Sequence, residues 1–202
     1  NPLTCFEKLC RHSFESVFIM ALKLISVKRN ISLLGLTRRK GMDVNTQKIT
    51  TENFSDYGFV TSISQPDGYY LEGEYHKFFR DPVRMITQSG SLGLSSLVVR
   101  KNEGLKIKAM EYHDETDELQ LPLDADVLLA VAPANGGEII EAEVEVFQVL
   151  KGTLIILKEG TWHDVMYPIS EELVHVLIGL PERTYKKDIV VKKLAEEIQI
   201  IL

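Results

Sequence analysis

Cysteine is close to absent: the 202-residue chain has 2, Cys5 and Cys10, and none beyond them. That excludes a disulfide scaffold and a four-cysteine zinc site, so any metal chemistry must use oxygen and nitrogen ligands. Long apolar runs are missing as well. The most apolar stretch, Val17 to Leu22 continued past Lys23 by Leu24 to Val27, is interrupted and falls short of the roughly 20 residues that a bilayer-spanning helix takes. An excess of positive charge is also lacking. The net charge of −6 argues against a nucleic-acid footprint spread over the surface, and no membrane or nucleic-acid partner is expected. Glycine and proline are at ordinary levels, there is no low-complexity tract, and 45% of the residues are hydrophobic. Disordered and collagen-like chains are thereby excluded.

What charge there is divides unevenly. Residues 1–41 hold eight basic side chains against Glu7 and Glu15, a net +6, which leaves 42–202 at −12. A cysteine-free acidic body fits a cytoplasmic enzyme. The first 41 residues are basic, serine-containing and poor in acids, as transit peptides are, while a basic cluster placed after the apolar run does not suit a secretory signal. Arg38-Arg39-Lys40-Gly41 stands directly before Met42, and codons exist for it that spell a bacterial ribosome-binding sequence ahead of a start. The expectation is a leader over 1–41 outside the native product, with translation starting at Met42; an amphipathic helix packed on the body is the alternative.

From Met42 the texture is that of strands. Thr50 to Gly58 predicts one short helix, capped by threonine and stopped by glycine. Strand-like segments follow at 59–64, 92–100, 105–113, 126–132, 138–150, 153–157 and 173–179. Turn signals such as Pro66-Asp67-Gly68, Asn135-Gly136-Gly137 and Lys151-Gly152 separate them. Many short strands at that spacing predict an all-β sandwich or barrel. The expected layout is a leader at 1–41, a barrel at 42–182 and a C-terminal helix or strand at 183–202.

Two segments carry chemistry. In 105–113, Leu105, Ile107 and Ala109 alternate with Lys106 and Lys108, so strict alternation turns Glu111 and His113 inward with them. An inward carboxylate beside an inward imidazole must pair, hydrogen-bond or hold a cation. In 138–150, Ile140, Ala142, Val144 and Val146 alternate with Glu141, Glu143 and Glu145, which reads as a solvated glutamate face. His175, opposite Val174 and Val176 in its strand, reads as structural or exposed.

The stretch Gly152-Thr-Leu-Ile-Ile-Leu-Lys-Glu-Gly160-Thr-Trp-His163 is similar to the second cupin motif, with Lys158 in place of its proline. Glu111-Tyr112-His113 followed by Glu118 has the spacing of the first motif, with glutamate in place of the first histidine. Glu111, His113, Glu118 and His163 would make a mixed N/O set for a divalent metal ion. The bland alternatives are satisfied core histidines and, for Glu118 in the acidic run Asp114 to Glu118, a solvated loop.

Residues 42–182 also resemble the ureidoglycolate lyase family. The resemblance rests on Phe54-Ser55-Asp56-Tyr57-Gly58, Tyr75-His76, Arg100, Glu111-Tyr112-His113 with Pro122 following, Val131-Ala132 and Gly160-Thr161-Trp162-His163. It departs at Asp164-Val165, where the family has His-Pro; at Ile155-Ile156-Leu157, where a Tyr-His pair is common; and at Glu118, where glutamine is frequent. The resemblance implies a cupin-type double-stranded β-helix, dimeric through an edge sheet, that splits ureidoglycolate into glyoxylate and urea. It implies a base at His163 or His113, with Glu111 orienting it or binding metal. Arg100 or Arg84 would clamp the substrate carboxylate through a planar guanidinium fork, with Trp162 and His76 as further substrate contacts. Two other readings are open: a metal-dependent cupin isomerase or epimerase of small oxyacids or sugars, and a non-catalytic cupin sensor of a small ligand.

Overall fold

A computed structural model describes residues 41–202 apart from 89 and 103; the leader expected at the N-terminus lies outside these residues. The strands are β1 Met42–Lys48, β2 Gly58–Ser62, β3 Tyr70–Glu72, β4 Lys77–Phe79, β5 Leu92–Arg100, β6 Lys106–Tyr112, β7 Glu118–Pro122, β8 Val127–Ala132, β9 Glu145–Val149, β10 Thr153–Leu157, β11 Trp162–His163, β12 Tyr167–Pro168, β13 Leu173–Pro181 and β14 Val190–Ile201. A single turn of helix, α1 Thr184–Lys187, precedes the last strand. No helix among the described residues is long and apolar enough to cross a membrane.

Seven strands form one sheet in the order β11-β6-β14-β1-β9-β8-β12, and β11 pairs with β8 as well, so this sheet closes on itself. Five more, β2-β10-β7-β13-β5, form the facing sheet, and β3 and β4 make a separate hairpin. The fold is an all-β barrel. The C-terminal segment is a strand rather than a helix: β14 lies parallel to β1, with Met42 opposite Ile198, and antiparallel to β6.

The architecture builds two apolar cores. One draws Val127, Leu129, Val131 and Phe147 from the closed sheet and Ile155, Leu157, Val174 and Val176 from the facing sheet. The other draws Ile107, Met110, Tyr112, Leu128, Ala130, Trp162 and Ile198 from the closed sheet alone, and fills the ring. Strand β8 divides them and is buried on both faces throughout. Its unbroken apolar run, Val-Leu-Leu-Ala-Val-Ala, is what that position demands.

Three local expectations change. Residues 51–57 are successive turns, not a helix: the Thr50 and Asn53 side chains accept each other's backbone N–H at 3.2 and 2.8 Å, but the backbone bonds that follow mix four-residue spacing (Phe54 to Thr50, Gly58 to Phe54) with three-residue spacing (Ser55 to Glu52, Tyr57 to Phe54). Phe54 and Tyr57 nonetheless reach the core, with Phe54 edge-on to Phe147 at 5.2 Å. The glutamate ladder is broken by a 3₁₀ turn at Glu141–Glu143. There the Glu141 carboxylate accepts the Ala195 N–H at 2.5 Å, inside the irregular stretch of β14 between Lys193 and Ile198. Alternation in β6 also slips, since Ile107, Met110 and Tyr112 all enter the ring core.

Candidate active site

The site is assembled where β6, β7 and β11 meet. Gly160 takes a φ of 78°, a left-handed turn that favours glycine, and donates its N–H to the His113 carbonyl at 2.7 Å. The next residues are therefore tied to the end of β6. Thr161 Oγ1 donates to the Tyr57 carbonyl at 3.1 Å. Side chains then alternate along β11: Trp162 enters the ring core, and His163 turns to the space between the sheets. Antiparallel pairing sets His163 directly opposite Glu111.

Both imidazoles are pinned the same way. His113 Nδ1 faces the Asp188 carbonyl at 2.5 Å, and His163 Nδ1 faces the Thr161 carbonyl at 3.0 Å. A carbonyl only accepts, so each Nδ1 carries the hydrogen and each Nε2 is left for the pocket. The two Nε2 atoms lie 3.1 Å (His113) and 3.0 Å (His163) from the same oxygen, Glu118 Oε2. Glu111 Oε1 is 3.8 Å from His163 Nε2. Glu118 opens β7 and is buried with both histidines, whereas the Glu111 side chain is 33% exposed and faces the cavity.

The electrostatics follow from that packing. Burial opposes charge on His163, but the Glu118 carboxylate outweighs it and pushes the imidazole up to about 9. Burial likewise opposes charge on His113, and Glu118 again raises it. Burial would raise Glu118, yet the two imidazoles hold it far below the usual carboxylate range. The contacts are close without being well directed: Glu118 Oε2 and His163 Nε2 make no hydrogen bond. Donors about 2.1 Å from one ion stand about 3 Å apart, which is the spacing of these atoms. Glu111, His113 and His163 alone bring three ligand atoms within 4.8 Å of one another. The residues therefore fit a divalent cation, with histidines oriented through Nδ1 as ligating histidines are.

These groups open into a cavity of about 280 Å³ walled by Ser95, Leu97, Gln120, Asp164, Ile178 and Tyr185 among others. No lysine or arginine lines it among the described residues. Asp164 was legible in the sequence only as a departure from the family pattern. Its carboxyl makes a short hydrogen bond with the Tyr167 hydroxyl and is raised by burial. Asp188 and Gln120 carry no signal in the sequence. Asp188 adds to its carbonyl contact a carboxylate that accepts the Asp114 and Glu115 N–H groups at 2.7 and 3.0 Å.

Glu111, His113, Glu118 and His163 thus come together, and four other expected residues do not join them. Trp162 is fully buried on the opposite face of β11, donating Nε1 to the Glu138 carbonyl at 3.0 Å. Arg100 ends β5 exposed, because inward Val99 turns it outward. Arg84 is exposed and absent from the cavity wall. His76 is exposed in the β3–β4 turn, where its carbonyl accepts the Gly73 N–H at 2.9 Å. His175, outside this set, pairs on the surface with Asp124 at 2.5 Å.

A family model described as ureidoglycolate lyase matches residues 42–201. No curated protein is significantly similar in sequence. Among solved structures, oxalate decarboxylase of Bacillus subtilis, described with Mn(II) centres, aligns with a TM-score of 0.36 and 14% identity over 51% of this chain and 24% of its own. RmlC of Streptococcus suis, in complex with dTDP-D-xylose, aligns with a TM-score of 0.36 and 14% identity over 46% of this chain and 45% of its own. Procruciferin, an 11S globulin of Brassica napus, gives 0.36 and 13% over 52% and 23%. The chain spans about a quarter of the oxalate decarboxylase length.

Proposed function

The chain belongs to the ureidoglycolate lyase family, and from that premise we propose that it splits ureidoglycolate into glyoxylate and urea during allantoin breakdown. The observation that carries the reading is the convergence of Glu118 with two Nδ1-pinned histidines in the wall of a small cavity, with the partly exposed Glu111 carboxylate 3.8 Å from His163. Family membership favours this over a cupin isomerase, epimerase or sensor.

The reaction removes a proton from a hydroxyl, forms a carbon–oxygen double bond and breaks a carbon–nitrogen bond whose electron pair leaves with urea. A divalent cation held by His113, His163 and Glu118 would polarise the substrate oxygens and offset the carboxylate charge, and Mn, Fe, Ni or Zn all suit such a donor set. Glu111 takes the hydroxyl proton and returns it to the departing nitrogen, so one carboxylate serves as base and then acid. The histidines hold position: each Nδ1 is committed to a carbonyl and each Nε2 faces Glu118. Hydroxyls of Ser95 and Tyr185 are available to the substrate carboxylate in place of an arginine clamp.

Incubation with racemic ureidoglycolate tests this directly. Glyoxylate release above the uncatalysed rate, ending near half conversion if one enantiomer is accepted, is the expected result; no release above background would overturn it. We also read the protein as a cytoplasmic homodimer. Support for the dimer comes from edge strand β5, whose Leu92, Leu94 and Val98 are exposed, and sedimentation at two concentrations tests it.

A further inference from the structure

We propose that the amide oxygen of Gln120 accepts an N–H of the substrate's ureido group, and so selects a carbamoylated amine over its carbon isostere. The proposal rests on the lyase reading above and names the group that gives it specificity.

Gln120 stands two residues after Glu118 on β7, on the same face, 3% exposed and lining the cavity. Its Nε2 donates to Glu118 Oε1 at 3.0 Å. A carboxylate accepts and cannot donate, so turning the amide over would set oxygen against oxygen. The amide is thereby fixed in one sense, with Oε1 at the other end. That oxygen is buried and has no hydrogen-bond partner. Buried carbonyl oxygens are rarely left so, and this one lies in the wall of the site.

The wall does not supply the missing donor. Leu97, Val165, Ile178 and Leu180 have nothing to give, the carboxylates of Glu111 and Glu118 are acceptors, and the hydroxyls of Ser95, Ser96 and Tyr185 make no hydrogen bond to this oxygen. A ligand must bring it. On a hydroxy-ureido acid the carboxylate has no proton and the hydroxyl proton goes to Glu111. The ureido N–H groups are the donors that remain. A site that leaves a buried acceptor for such a group rejects the analogue lacking it, because the acceptor is then stranded.

The experiment is calorimetric titration of the metal-loaded protein with two ligands that cannot react. Ureidoacetate keeps the ureido group and lacks the hydroxyl; levulinate has the same shape with carbon in place of both nitrogens. The wild type should prefer ureidoacetate by about tenfold or more. In Gln120→Met, with Mn(II) held in excess to offset the lost contact to Glu118, the preference should fall to about unity and levulinate affinity should change by less than about twofold. A wild-type ratio near one, as when water satisfies Oε1, overturns the proposal without any variant. So does a preference that survives Gln120→Met. Glyoxylate assayed on the same preparation separates the two readings: turnover without ligand preference sinks the role of Gln120 alone, and preference without turnover sinks the reaction while upholding the recognition.

Discussion

The two faces of β6 and β11 carry opposite chemistry. Tyr112 and Trp162 enter the ring core, where their rings meet at 4.5 Å nearly edge-on, and the tryptophan N–H is satisfied by a carbonyl. One residue along in each strand, His113, Glu111 and His163 face the other way into the cavity, with charges that oppose burial. The contrast teaches how a costly polar cluster is kept in place. Burying ionisable groups opposes folding unless they are compensated, so their position cannot come from their own packing. It comes from the aromatic pair behind them and from backbone carbonyls that hold each Nδ1.

The largest way to break that arrangement is from the apolar side. Trp162→Ala should lower stability by about 3–5 kcal/mol, as the loss of a fully buried aromatic does, measured by chemical denaturation. It should also loosen the cavity although Trp162 touches no substrate. A stable variant with normal activity would show that the ring core does not position the site. From the polar side, His163→Ala should leave the fold intact and reduce metal affinity and turnover by at least about a hundredfold, more than outer contacts are worth. Unchanged turnover in a folded variant would place the chemistry elsewhere.

Part of this contrast was legible in the sequence. The run from Gly152 to His163 was readable because both glycines take positive φ, 77° and 78°, so the turns that aim His163 leave a mark in the residue type. Alternation puts Glu111 and His113 on the same face as Ile107, yet Ile107 packs on the ring side. The strand changes face on the way, opposite an irregular stretch of β14 that belongs to another part of the chain. Glu118 sat in an acidic run that resembles a solvated loop, and only the pairing of β7 with β10 buries it. Asp188 acts through its backbone carbonyl, which no sequence pattern reports.

Asp188 sharpens the comparison by a smaller step. Replacing it with alanine keeps the carbonyl but frees the Asp114 and Glu115 N–H groups, so His113 should lose precision. The expected result is about a tenfold loss in metal affinity, read by competition with a chelator, with Asp188→Asn recovering most of it. Equal affinities for wild type and both variants would leave the carboxylate without a positioning role.

The mildest perturbation is pH, and it distinguishes the two regions without a mutation. In metal-free protein, His163 is held up to about 9 from an ordinary 6.5, and His113 is raised as well. A raised folded value means that the contribution to stability is fully present below about 6.5 and is lost as pH climbs toward about 9. Glu118 is depressed, so its contribution is present above the ordinary carboxylate range and disappears only on strong acidification. Thermal midpoints of chelator-treated protein should therefore fall between about pH 6.5 and 9, while the apolar side chains of the ring core contribute evenly. Adding Mn(II) should flatten that decline, because bound imidazoles are neutral and have no proton to lose. Parallel curves with and without metal would mean that the cation does not occupy the space between Glu118 and the two histidines.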